Sequence, residues 1–175
     1  MIKSNLKYRK TVFLVLIIIV FILVLGSLIP IPLPVDKKSA GIDWESNNTS
    51  FQEDSEIIVQ GTYLKYFIPA FFSDTFTGRI VISNFEYTQE YSMLQITFDR
   101  NNFNTGSLAY IDYATNSHEI LGLIGVRGIF AEIVILQSNN SGEPENAKVI
   151  SAPSSSKQEA VNLATLVFSK EFKFQ

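Results

Sequence analysis

Three carboxylates, Asp112, Glu119 and Glu132, are the best candidates for chemistry in this chain. They fall on successive β-type runs. A hairpin centred between Thr115 and Asn116 sets Asp112 opposite Glu119, with Glu132 diagonal on the same face. Three clustered carboxylates can hold Ca²⁺, and two can act as the acid and base of a glycosidase. No Asp-x-Asp-x-Asn-Gly loop accompanies them. The preferred reading is plainer: solvated charges at a hairpin end, near Arg100 or Arg127, where exposed pairs weigh little.

Other catalytic constellations are missing from the sequence. There is one His, His118, and no Cys, so the familiar zinc sets, disulfides and a lipid-modified Cys have no residues to form from. The same register sets His118 across from Tyr113, which reads as a cross-strand aromatic pair. No Gly-x-Ser-x-Gly nucleophile elbow occurs. The glycine-spaced run Gly122–Gly128 opens a strand, so it offers no helix N-terminus to a phosphate. No cofactor or metal is expected. A second candidate surface is aromatic: Tyr63, Tyr66, Phe67, Phe71, Phe72 and Phe76 cluster around Pro69. If Phe71 and Phe72 are exposed, with Tyr66 beside them, they form a contact for lipid or a partner; the preferred expectation puts them in the core.

These residues must be positioned by two unlike parts of the chain. Residues 11–35 carry no charge, while Lys3, Lys7, Arg9 and Lys10 precede them. A helix rises 1.5 Å per residue, so ~20 residues cross a hydrocarbon core of about 30 Å. Residues 11–33 are therefore read as a transmembrane helix in contact with membrane lipid. Residues 1–10 form a basic cytoplasmic tail, and the rest lies outside. A cleaved signal peptide is the rival reading, but Leu25 and Lys38 spoil the candidate cut sites after Ser27 and Ala40. Pro30, Pro32 and Pro34 are expected to end the helix. Residues 34–54 are expected to be a polar linker, with Trp44 packed on the domain edge.

Residues 55–175 are expected to form one mainly β domain. Seven β-type runs, starting near Glu56, Thr77, Ser92, Ser107, His118, Ile129 and Ala147, are separated by short turns, which demands antiparallel neighbours. Hairpins centred at Thr115–Asn116 and Val126–Arg127 line up Leu94, Ile96, Phe98, Ala109, Ile111, Ile120, Ile124, Ile129, Ala131, Ile133 and Ile135 on one apolar face. The expected fold is an antiparallel β-meander of six or seven strands, curled or barrel-like. One helix over 155–169, begun by a Ser155–Gln158 or Ser156–Glu159 capping box, packs on it.

From position 36 onward the chain holds ten Lys/Arg against 17 Asp/Glu, a charge of −7 that disfavours nucleic acid. The expected function is a membrane-anchored, extracytoplasmic, non-catalytic binding or interaction domain for a protein partner or an apolar ligand. The alternatives are an envelope-polymer hydrolase using the carboxylates, and an assembly or sensing subunit of a membrane complex.

Overall fold

The computed structural model describes residues 12–21, 26, 28–46, 48, 50–67, 72–100, 104–138 and 148–168. Its strands are β1 (Ile31–Glu45), β2 (Gln52–Lys65), β3 (Asp74–Ile82), β4 (Ser92–Met93), β5 (Ile96–Phe98), β6 (Thr105–Asp112), β7 (Ser117–Arg127), β8 (Glu132–Gln137) and β9 (Lys148–Ala152). Two helices accompany them, α1 (Tyr87–Glu90) and α2 (Lys157–Phe168). All nine strands join one antiparallel sheet in the order β4-β6-β7-β8-β9-β1-β2-β3-β5, curled into a half-barrel. The mainly β architecture and the C-terminal helix match the expectation. The strand number rises to nine because the run at Ser92 splits in two and because β1 joins the sheet.

β1 corrects the largest error. Within the expected linker 34–54, residues 34–45 and 52–54 are strand: β1 pairs along its length with β2, from Ile31↔Lys65 to Trp44↔Gln52, and its far end also pairs with β9. The prolines fit this strand for a geometric reason. The Ser154 N–H donates to the Ala40 carbonyl at 3.2 Å, from the side of β1 away from β2. Both backbone groups of a residue in an antiparallel strand point the same way. Even-numbered β1 residues therefore turn their backbone away from β2. Pro32 and Pro34 are even-numbered, so their missing N–H groups fall on the free edge and cost the ladder nothing.

Upstream of β1, residues 12–21, 26 and 28 are helical. Residues 22–25 and 27 lie outside the described residues, as does the basic tail. Among the described residues, no helix is long and apolar enough to cross a membrane. The expected helical stretch ends before Ile31, where β1 begins.

The sheet is apolar on both faces over its central strands. Inside the curl, Val35, Ile57, Val59, Ile80, Ile82, Ile96, Leu108, Ile124 and Ile135 form the main core. On the outer face, Ile42, Trp44, Val134, Leu136 and Val149 lie beneath Ala160, Ala164, Val167 and Phe168 of α2. Trp44 is fully buried in this second layer rather than packed on an edge, and its Nε1–H reaches Ser151 Oγ at 3.3 Å. The helix begins with one half of the expected Ser156–Glu159 box, the return bond going to Ser155 instead of Ser156. Ser156 Oγ accepts from the Glu159 N–H at 3.4 Å, and the Glu159 carboxylate turns back to the Ser155 N–H at 2.8 Å. Gly125 lets α2 approach closely, since a Cβ there would stand 2.6 Å from Val167 Cγ1.

Side chains close the seam of the half-barrel. β4 and β5 are consecutive in sequence yet lie on opposite edges of the sheet, so residues 92–98 bridge the gap. Next to this bridge the buried Tyr110 hydroxyl donates to the Ile80 carbonyl at 2.8 Å. Thr88 in α1 accepts from the Ile82 N–H at 3.0 Å and donates to the Phe85 carbonyl at 2.7 Å. The bonds to the Ile80 carbonyl and from the Ile82 N–H satisfy edge groups of β3 that no strand covers.

Register differs from expectation at both hairpins. Ile111 faces His118, and Ala109 faces Ile120, because the turn takes four residues, 113–116. A bulge at Leu108/Ala109 then restarts the pairing at Gly122. Leu108, Tyr110 and Leu121 consequently point inward, while Ile120 and Leu94 are exposed. The β7–β8 turn lies at Gly128-Ile129-Phe130, all with positive φ (60°, 53° and 58°), not at Val126–Arg127. Left-handed geometry is costly for Ile and Phe. It drives Phe130 into the near end of the barrel, where its ring packs on Phe76 (4.6 Å), Phe98 (6.0 Å) and Tyr63 (6.1 Å). Burying an aromatic ring there outweighs the backbone cost.

Candidate functional site

The two ends of the half-barrel differ in chemistry. The near end holds the start of β1, the end of β2 and the start of β3. Directly outside the Phe130 plug lies Asp74, the first residue of β3 and 3% exposed. Its carboxylate accepts bonds from Tyr63 Oη at 2.7 Å, the Tyr66 N–H at 2.8 Å and Arg100 Nε at 2.9 Å, and a further one from Arg100 Nη2. The same Nη2 donates to the Tyr66 carbonyl at 2.6 Å. Burial pushes the Asp74 pKa up, but the bonds from Arg100, Tyr66 and Tyr63 outweigh it and hold the group below the usual carboxylate value. Burial, reinforced by the bond to Asp74, pushes the Tyr63 phenol well up, so it stays a donor.

This clamp fixes both backbone groups of Tyr66, the first residue after β2. The Tyr66 ring stacks on Phe72 with centroids 5.1 Å apart and planes 18° apart. Phe67 is 66% exposed and Phe72 39% exposed. The expectation that Phe72 is core is therefore corrected: β2 ends at Lys65, and the Phe72 ring stacks on Tyr66 at the surface. Phe71 lies outside the described residues. Asp74 has no cue in the sequence, Arg100 enters the sequence reading only as a neighbour of the three carboxylates, and Phe67 only as a member of the aromatic run. Asp74 and Arg100 lie 26 positions apart with no local motif joining them.

No known protein family, curated protein or solved structure matches this chain. The site must be judged on its own geometry.

At the far end of the barrel the inner face turns polar. Asp43 is 4% exposed and accepts weak bonds from Gln137 Nε2 at 3.3 and 3.4 Å. Burial pushes its pKa to about 6, against the pull of Lys148 and Gln137. The neighbouring Ser55 hydroxyl is buried without a hydrogen-bond partner. These residues come from four elements, and the burial of Asp43 among them bears on stability.

The three candidate carboxylates do not converge. Asp112 faces Ser117, not Glu119. It caps its own turn, accepting from the Ala114 N–H at 2.8 Å and Thr115 Oγ1 at 2.6 Å. The Thr115 and Ala114 bonds hold its pKa below the usual value. Glu119 faces Tyr110 and is exposed. Glu132 sits at the opposite end of β7, paired with Arg127 at 2.9 Å. Its partner position 127 is eight residues from Glu119 along the strand, roughly 26 Å at ~3.3 Å per residue. Among the described residues, no three His, Cys, Asp or Glu side chains gather as a metal site would need. His118 is exposed and faces Ile111 rather than Tyr113.

Proposed function

We propose that this chain is a single-pass membrane protein whose half-barrel is held outside the bilayer as a non-catalytic interaction domain. Its contact surface is the aromatic near end, with Tyr66, Phe67 and Phe72 as contact residues. One observation carries the reading: Ile31, where β1 begins inside the uncharged segment, pairs with Lys65, the last residue of β2. The loop and the uncharged segment 11–35 thus meet at one end of the sheet. Basic residues before that segment and none within it support a cytoplasmic N-terminus. Exposed aromatic rings on a rigid support are what contact surfaces use, because little side-chain freedom is lost on binding.

Photocrosslinking in cells tests this. A photoreactive phenylalanine placed at position 67 or 72 of the full chain should give crosslinks that are weak or missing at position 113, on the far hairpin. Equal crosslinking at both ends would overturn the assignment of the contact surface.

A further inference from the structure

The aromatic end, we propose, seats on lipid: Tyr66, Phe67 and Phe72 occupy the boundary between headgroups and acyl chains beside the anchor. This deepens the reading above and rests on its membrane attachment. Reach is the first argument. Paired Cα atoms in an antiparallel ladder lie about 5 Å apart. Phe67 follows Lys65 by two residues, or about 7 Å of chain. The loop thus begins within about 12 Å of the point where β1 leaves the apolar segment. A zone of some 5–7 Å of polar headgroup flanks each side of the hydrocarbon. A chain leaving the bilayer at Ile31 carries this loop down to that zone. Ile29 and Ile31, 66% and 39% exposed, continue the apolar surface toward it.

The second argument is rigidity. Asp74 and Arg100 grip the Tyr66 backbone, which carries Phe67 next to it, and the Tyr66 ring stacks on Phe72. Aromatic side chains concentrate at the bilayer interface, where an apolar body and a polar tip are both accommodated. Charge is the third. At the near end Asp74 is neutralised by Arg100 and Glu132 by Arg127. Of the other exposed acids, Glu53 and Glu119 lie toward the far end, Asp36 accepts from Gln60 Nε2 at 3.2 Å, and Asp99 stands next to Arg100 in the chain. Anionic headgroups therefore meet little repulsion at the aromatic end.

The absence of Cys makes the test clean. Single-cysteine variants Ile17→Cys, Phe67→Cys and Tyr113→Cys of the full chain are labelled with an environment-sensitive fluorophore. They are reconstituted in vesicles of zwitterionic and anionic phospholipid, some bearing a bromine quencher on the acyl chain. Trp44 emission checks that each variant is folded. The proposal expects blue-shifted, strongly quenched emission at 17, clear quenching at 67, and a water-like signal at 113. Quenching at 17 with a water-like signal at 67 would overturn lipid seating and leave the anchor standing. A water-like signal at 17 would overturn both. A label at 67 that is water-like in vesicles but shielded in native membranes would replace lipid with a protein partner and so refute the proposal.

Discussion

Replacing Arg100 with Met tests the clamp that holds the aromatic end. The variant keeps most of the stem volume and removes both guanidinium bonds to Asp74, leaving a nearly buried carboxylate with Tyr63 and the Tyr66 N–H. Breaking a buried ion pair from one side costs about 3–5 kcal/mol. The Arg100 side chain is 20% exposed, so water reaches part of the bereft carboxylate. The expected loss is near the lower bound, about 3 kcal/mol at neutral pH. A carboxylate whose folded pKa is depressed stabilises the fold above its unfolded pKa and loses that contribution as pH falls through the folded one. In the variant the guanidinium is gone and burial remains, so the Asp74 pKa rises and protonation relieves the buried charge. The deficit against wild type should therefore shrink as pH falls below ~4. Urea denaturation in detergent, followed by emission of the sole tryptophan, Trp44, measures this. That reporter lies in the other layer, under α2, so it records global unfolding. A loss under ~1 kcal/mol at neutral pH, the worth of an exposed pair, would refute the reasoning. So would a deficit that does not change with pH.

Other perturbations probe the remaining supports. Gly125→Ala forces a methyl against Val167 and Phe168, and should cost about 1–3 kcal/mol by lifting α2 from the sheet; a red-shifted Trp44 emission would accompany the lower melting temperature. Asp43 has a raised folded pKa of about 6, so it binds more protons folded than unfolded between its two values. Stability should fall as pH rises from ~4 to ~6, and a thermal melt series should show that slope reduced in Asp43→Asn, with a higher melting temperature at pH 7. Replacing Pro32 with Ser and Pro34 with Thr supplies N–H donors to the free edge of β1; sedimentation should show self-association with the strand otherwise intact.

Much of the fold is legible in the sequence, because alternating apolar residues between short turns leave few options. Asn104 and Asn116 adopt positive φ, as turn chemistry suggests they should. The Pro30-x-Pro32-x-Pro34 pattern reads as a helix breaker, and its period of two is also what an edge strand with its N–H positions turned outward permits. Register at the first hairpin misses by two residues near the tip, a slip that preserves which face is which; only the bulge at Leu108 and Gly122 flips it. The second hairpin could not be read locally. Ile129 and Phe130 have no preference for left-handed backbone, and tertiary burial of Phe130 imposes it. The clamp is non-local in the same way, since Tyr63, Asp74 and Arg100 are unremarkable until β2, β3 and the turn after β5 bring them together.

The central claim is a half-barrel held outside a membrane by its N-terminal segment, and its topology can be measured directly. Single-cysteine variants Ser4→Cys and Tyr113→Cys of the full chain are expressed in cells, treated with a membrane-impermeant thiol reagent, and the membranes then washed at alkaline pH. The chain should stay in the membrane pellet, with position 113 labelled in intact cells and position 4 only after permeabilisation. Release into the wash, or labelling of position 4 in intact cells, would contradict the account.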